Sequence, residues 1–315
     1  MKPMCLIICV FLLLTSCEYF DYNYEDETEA EAEEIYETGN ENTPLAAHER
    51  RLACKHTNLE EFYHSVQNPK EFTLNGDVAG GIAPHHMVAA SLVSGFFKAV
   101  AGSGKQYDTV VVVAPNHAGG TTDIITSFKD WQTWDTVYCD RDIVTGMYGR
   151  NFDGFDITEN DDRMEEEHSV SVLIPYINHY LPETKVSAFL VTSRLTLEDT
   201  YNFMRILSGE IKTSGKSVLF IASIDFSHYL PASVAVENDR TTEAAIMNRN
   251  YREIHGFSDE YVDSPQSLNI FLMYLESIGI NADGVEILYN TNASEFTVNG
   301  INETTSYFVI AAYES

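Results

Sequence analysis

Hydrophobic positions fall into two rhythms along most of this chain. Unbroken apolar runs rich in β-branched residues occur at 108–114, 185–192 and 217–224, and similar runs return at 285–289 and 306–312. Short runs of this kind suit strands buried on both faces of a sheet. Between them, apolar residues recur at helical spacing over 87–101, ending at Gly102, and over 197–213, ending near Gly215; 240–254 and 267–278 carry the same spacing. Strands alternating with helices predict an α/β fold in which a mostly parallel or mixed central sheet is flanked by helices. No linker or internal repeat interrupts residues 50–315, so a single domain is expected there.

The N-terminal rhythm is different. Lys2 precedes an apolar run over 4–14, which leads into Leu14-Thr-Ser-Cys17. A basic start, a short apolar core and small residues before a cut site form an export signal. A cysteine directly after them matches a bacterial lipoprotein lipobox, with Cys17 as the lipid-bearing new N-terminus. Residues 1–17 are therefore expected to be a signal peptide, and the chain to sit lipid-anchored on the extracytoplasmic face of a cell membrane. Residues 18–43 hold eleven acidic residues and no basic one. Like charges repel and little apolar surface is available to offset ordering, so 18–45 is expected to be an extended acidic tether before a domain at 46–315.

Charge then narrows the partners. The chain carries 19 Lys+Arg against 48 Asp+Glu, a formal net charge of -29. Without residues 1–43 the balance is 18 basic against 48 minus 11, or 37, acidic residues, still -19. A nucleic-acid backbone would be repelled by this surface. Five cysteines in 315 residues exclude a disulfide scaffold or a Cys-rich zinc module. Cys54 and Cys139 remain beyond the signal and could pair. No apolar run reaches the ~18 residues of a membrane-spanning helix. The chain also lacks a Gly-x-Ser-x-Gly elbow, a Gly-x-x-x-x-Gly-Lys loop and a His-Glu-x-x-His helix, which weakens lipase, nucleotide-hydrolase and thermolysin-like functions.

The candidate chemistry lies where strands end. In open α/β sheets ligands bind beyond the carboxyl ends of the strands. Pro84-His85-His86, Pro115-Asn-His117 and Asp225-Phe-Ser-His228 each directly follow a strand-like run, and Glu167-His168-Ser169 precedes the apolar stretch with Pro175-Tyr176. Imidazoles and carboxylates are ligands for iron, zinc, copper or manganese, and a histidine beside an aspartate can carry protons near neutral pH. Asp225 and His228 lie three apart, so a helical turn would put them on one face.

Taken in order and spacing, Pro84-His85, Ala114-Pro-Asn-His117, Glu167-His168-Ser169 with Pro175-Tyr176, and Ser223-Ile-Asp225-Phe-Ser-His228-Tyr229 resemble the Memo family, also called AmmeMemoRadiSam system protein B, across residues 75–315. That family is similar in fold to class III extradiol ring-cleavage dioxygenases, which use non-haem Fe(II). The resemblance implies that His85 and His117 are metal-type histidines, with Asp225 and His228 lining the same pocket. This chain departs from the family pattern at His86-Met87, at Ser171 and Leu173, and at a late position where the family carries a cysteine. Asp263 falls there. It would be either the third metal ligand or, the nearer expectation, a helix N-cap ahead of Pro265.

The resulting expectation is a Memo-like lipoprotein with a metal ion, most simply iron, with copper and zinc remaining open. His85, His117 and Asp263 would be its ligands, His228 an acid/base and Asp225 its orienting partner, in dioxygenase-like redox chemistry on a small molecule. His86, Glu167 and His168 are further candidates for the pocket. The rival expectation is a non-catalytic module that uses the same pocket for a peptide or an anion, and hydrolysis of an envelope component is a third.

Overall fold

The computed structural model describes residues 50–150, 152, 154–297 and 302–314. The expectations for the signal peptide, Cys17 and the acidic tether lie outside the described residues. Residues 49–315 form one unit, built on an eight-stranded sheet: Val78–Ala83 (β1), Thr109–Pro115 (β2), Ile124–Thr126 (β3), Ile157–Glu159 (β4), Lys185–Val191 (β5), Val218–Ser223 (β6), Val285–Asn292 (β7) and Ser306–Tyr313 (β8). Their spatial order is β7-β8-β1-β6-β2-β5-β3-β4. The central strands β1, β6, β2 and β5 pair in parallel. The β7/β8, β8/β1 and β5/β3 pairs are antiparallel, so the sheet is mixed.

Both faces are covered. Along β2, Val111 and Val113 join one apolar cluster with Phe203, Leu207, Phe271 and Leu275, whereas Val110, Val112 and Ala114 join another with Phe96, Phe97, Val100 and Tyr176. Successive strand residues point to opposite faces, so an all-apolar run is what a strand between two helical layers requires. The helices Leu197–Ser214 and Pro265–Ser277 lie on the first face, and Ala90–Gly102 and Ile174–Tyr180 on the second. Leu197–Ser214 opens with a capping box between Thr196 and Asp199 and closes at Gly215, whose φ of 66° is the left-handed end that glycine supplies.

Several boundaries differ from expectation. The helix expected to start at Met87 begins as a 3-10 turn, Met87–Ala89, before Ala90–Gly102. The stretch 240–254 is two helices, Ala232–Met247 and Tyr251–His255, separated at Arg249, which has a φ of 52°. A small sheet of Leu52–Ala53, Trp131–Gln132 and Thr136–Val137 was not anticipated. Cys54 and Cys139 are both free thiols, not a pair. Among the described residues no helix is long and apolar enough to cross a membrane.

Candidate metal centre

The strands β1, β6 and β2 are neighbours and run the same way, so their carboxyl ends open at one place. His85 follows β1, Asp225 follows β6 and His117 follows β2. The fourth segment reaches this place through hydroxyls: Ser169 Oγ donates to the Pro115 carbonyl, and Ser223 Oγ donates to the Ser169 carbonyl. These contacts seat the short helix His168–Ser171 over the strand ends, with Glu167 as its N-cap.

Three imidazoles meet there. His85, His117 and His168 each offer a ring nitrogen within 4.8 Å of the others. The rings of His117 and His168 stack at 4.4 Å, and His85 stands edge-on at 5.2 and 5.0 Å from them. His85 is buried, while His117 and His168 keep 34% and 40% of their side chains exposed, so the cluster is open to solvent on one side.

Glu167 organises two of the rings. Its Oε1 lies 2.8 Å from His117 Nδ1 and 3.2 Å from His168 Nδ1, and its Oε2 accepts the His117 backbone N–H at 2.9 Å. A carboxylate on Nδ1 leaves Nε2 to face a ligand, which is the usual support for a metal-bound histidine. His85 Nδ1 lies 3.4 Å from Ser223 Oγ. Its Nε2 is 3.2 Å from Asp263 Oδ2, and His117 Nε2 is 3.7 Å from the same oxygen. The Nε2 atoms of His85 and His117 thus converge on one buried carboxylate.

The charge balance follows from these contacts. Burial disfavours the charged form of His117, but hydrogen bonds to Asp263 and Glu167 and their negative charge outweigh it, raising its pKa to about 10. Burial likewise opposes charge on His85, and Asp225 and Asp263 together reverse the sign, so its pKa is also raised. Burial works against ionised Glu167 and Asp263, yet the surrounding imidazoles hold both carboxyls far below the usual range. The carboxylates therefore favour the charged form of His85 and His117, and those rings in turn favour ionised Glu167 and Asp263.

A cation fits this donor set. Asp263 Oδ1 is buried and accepts no hydrogen bond among the described residues. A buried carboxylate oxygen without a donor is costly, and a metal ion held by Asp263 would offset that cost. Imidazole nitrogens with a carboxylate suit iron, zinc, copper or nickel.

The expected site residues separate into groups. His85, His117 and Asp263 come together. Asp263 does not cap the following helix: Ser264 does, its Oγ accepting from Ser267 N. His168 also joins the cluster. Asp225 and His228 do not share a helical turn, because residues 224–230 form an irregular segment bridged at Phe226↔Val262 and Leu230↔Thr304. Asp225 Oδ1 instead accepts the His85 backbone N–H at 3.1 Å, and its own N–H donates to Asp263 Oδ2 at 3.1 Å. His228 is half-buried; its backbone N–H donates to the Asp259 carbonyl, and its Nδ1 is buried without a hydrogen-bond partner among the described residues. His86 turns to the Tyr307 hydroxyl, 2.8 Å from its Nδ1, and partial burial of its ring lowers its pKa.

Comparison with known proteins adds to this geometry. A family model described as "Memo-like protein" matches residues 49–297. A "MEMO1 family protein PAE0818" of Pyrobaculum aerophilum is 29% identical over 204 residues, covering 62% of this chain and 69% of that one. A MEMO1 family protein of Pyrobaculum arsenaticum is 29% identical over 179 residues, covering 56% and 61%. One of Methanococcoides burtonii is 31% identical over 185 residues, covering 58% and 67%. The match thus spans roughly three fifths to seven tenths of these relatives' own length. A crystal structure of "uncharacterized protein JW3007 from Escherichia coli K12" aligns with a TM-score of 0.47 at 11% identity, covering 75% of this chain and 100% of that one.

Proposed function

This chain belongs to the Memo family, and on that footing we propose that it is a metal-dependent protein acting on a small molecule at the His85, His117 and His168 cluster, with Asp263 as the adjoining carboxylate. The observation that carries this reading is the meeting of three imidazoles, two of which, His85 and His117, face the buried carboxylate of Asp263, whose Oδ1 has no hydrogen-bond donor among the described residues. When bound, the ion supplies Lewis acidity, and iron or copper would add electron transfer. The chain's own groups have separable tasks. Glu167 holds the rings of His117 and His168 by Nδ1. Asp225 fixes the backbone of His85 and, through its N–H, the carboxylate of Asp263. His228, three residues after Asp225 on the same strand-end segment, is the proposed proton carrier.

Metal content tests the proposal. The full chain is purified, its bound metals are measured, and the measurement is repeated for His85→Ala, His117→Ala and His168→Ala. Stoichiometric metal in the wild type that is lost in each folded variant supports the reading. An intact fold that takes up no iron, copper or zinc at neutral pH rejects it in favour of a non-catalytic peptide- or anion-binding module in the same pocket. The export signal and lipid anchor at Cys17 belong to the same proposal and rest on the sequence of residues 1–17 alone. Labelling with palmitate, lost in Cys17→Ala, is the expected result.

A further inference from the structure

A further buried carboxylate, outside the metal-type cluster, has a different set of partners. Asp239, in the helix Ala232–Met247, is 2% exposed. Its Oδ1 accepts from Ser227 Oγ at 2.8 Å and from Ser306 Oγ at 2.6 Å, and the Asn290 side chain also reaches it. Among the described residues no Lys, Arg or His forms an ion pair with it. Burying a carboxylate without a cation is expensive. Other buried acids here do have one: Asp140 binds Lys216, and Glu165 binds Arg50 and Lys55. An explanation for Asp239 is therefore needed in what it holds.

What it holds is the segment after β6. Ser227 stands between Asp225 and His228, and Ser306 opens β8. The same strand residue also binds this segment through its backbone, since Phe226 N donates to the Ser306 carbonyl and Ser306 N donates to the Ser227 carbonyl. The segment needs such support. Tyr229, directly after His228, is held at a φ of 55° with 74% of its surface exposed. Bulky residues seldom adopt that left-handed conformation, and it persists where the surroundings over-determine it.

We propose that Asp239 is a positioning residue for the candidate metal centre: its carboxylate clamps Ser227 to Ser306 and so fixes the turn that carries Asp225 and His228. The link to the cluster is continuous. Asp225 Oδ1 receives His85 N, Asp225 N donates to Asp263 Oδ2, and Asp263 N returns a bond to the Asp225 carbonyl. Releasing Ser227 frees Asp225, and with it the two groups whose Nε2 and Oδ2 atoms face each other. The metal part of this inference rests on the reading given above; the clamp itself does not.

The test uses the full chain with Co(II) as the probe, together with NMR of the His228 imidazole. Asp239→Asn keeps an Oδ1 that can accept both hydroxyls, so it is expected to preserve Co(II) affinity, the Co(II) absorption spectrum and the His228 titration. Asp239→Leu and the milder Ser227→Ala break the clamp. Both are expected to weaken Co(II) binding about tenfold or more, to alter the Co(II) spectrum and to shift the His228 midpoint, while circular dichroism shows an intact fold. If Asp239→Leu does not fold, Ser227→Ala alone decides. Wild-type Co(II) binding and an unchanged His228 titration in folded Ser227→Ala overturn the proposal, as does an Asp239→Asn variant as impaired as Asp239→Leu. If the wild type binds no Co(II), the metal reading fails, and the His228 titration still decides whether the clamp positions the turn.

Discussion

Single carboxylates do most of the organising in this site, and two of them give residue-scale predictions. Glu167 takes two imidazole Nδ1 atoms and two backbone N–H groups, those of His117 and Ser169. Glu167→Gln keeps the volume but replaces an anion with an amide, so both rings lose the partner that favours a free, basic Nε2. Metal affinity of the folded variant is expected to fall about 10–100-fold, measured by competition with a chromophoric chelator; an unchanged affinity would contradict the support assigned to Glu167. Asp239 makes the second case. Burial pushes its pKa up to about 6 from 3.8 against the pull of Ser306 and Ser227. A raised carboxyl holds its proton longer in the folded state. Its stabilising share is therefore full below pH ~3.8 and is lost as pH rises through about 6, and it amounts to about 2–3 kcal/mol. Asp239→Asn has no such loss. The stability of the variant minus that of the wild type, from urea melts, should rise by about that amount between pH 3.5 and 7.5. A flat difference would show that the carboxyl titrates normally.

At the scale of elements, the site exists because three parallel strands end side by side, and β1 leaves no room beside its glycines. A Cβ added at Gly81 would meet the Ile310 carbonyl at 2.7 Å and the Phe96 ring at 2.4 Å, and one at Gly80 would meet the Phe220 carbonyl at 2.6 Å. Backbone cannot yield as a flexible side chain can. Gly81→Ala is expected to cost about 1–3 kcal/mol, read from denaturant melts, and to disturb His85 because the same strand delivers it; full stability in this variant would refute the close packing. The strands were the most legible part of the chain. Runs such as 108–114 must be apolar throughout when both faces are covered, and those at 108–114 and 217–224 lead into His117 and Asp225, which the fold brings to the strand ends. The two-residue strands near Leu52 and Trp131 are too short to carry a period, and nothing in 240–254 signalled the left-handed break at Arg249. Asp263 was harder still. Capping by Ser264 rather than its neighbour is settled by a difference of one residue, and the distance of Asp263 from His85 depends on a contact 178 residues apart in sequence, 263 minus 85. His168 lies on no strand end; it reaches the cluster through the hydroxyls of Ser169 and Ser223, which no local pattern reveals.

For the whole molecule, the ligand set draws on segments spread from His85 to Asp263, so it cannot persist in the unfolded chain. A metal that binds only the folded state must then stabilise it by mass action. At a free metal concentration 100 times the dissociation constant, the gain is about 2.7 kcal/mol. For a domain of this size each kcal/mol raises the melting temperature by about 2–4 °C, so a rise of at least about 5 °C is expected when metal is added to stripped protein. The residual charge of -19 beyond residue 43 favours cations non-specifically as well, and a control separates the two effects. Mg²⁺ at the same concentration and ionic strength prefers oxygen ligands and water, so it should shift the melting temperature little. His85→Ala should abolish the response to Fe(II), Zn(II) or Co(II) while leaving the small Mg²⁺ response untouched. An equal shift with Mg²⁺, or one that survives in His85→Ala, would mean that the ion is answering the acidic surface rather than the imidazole cluster.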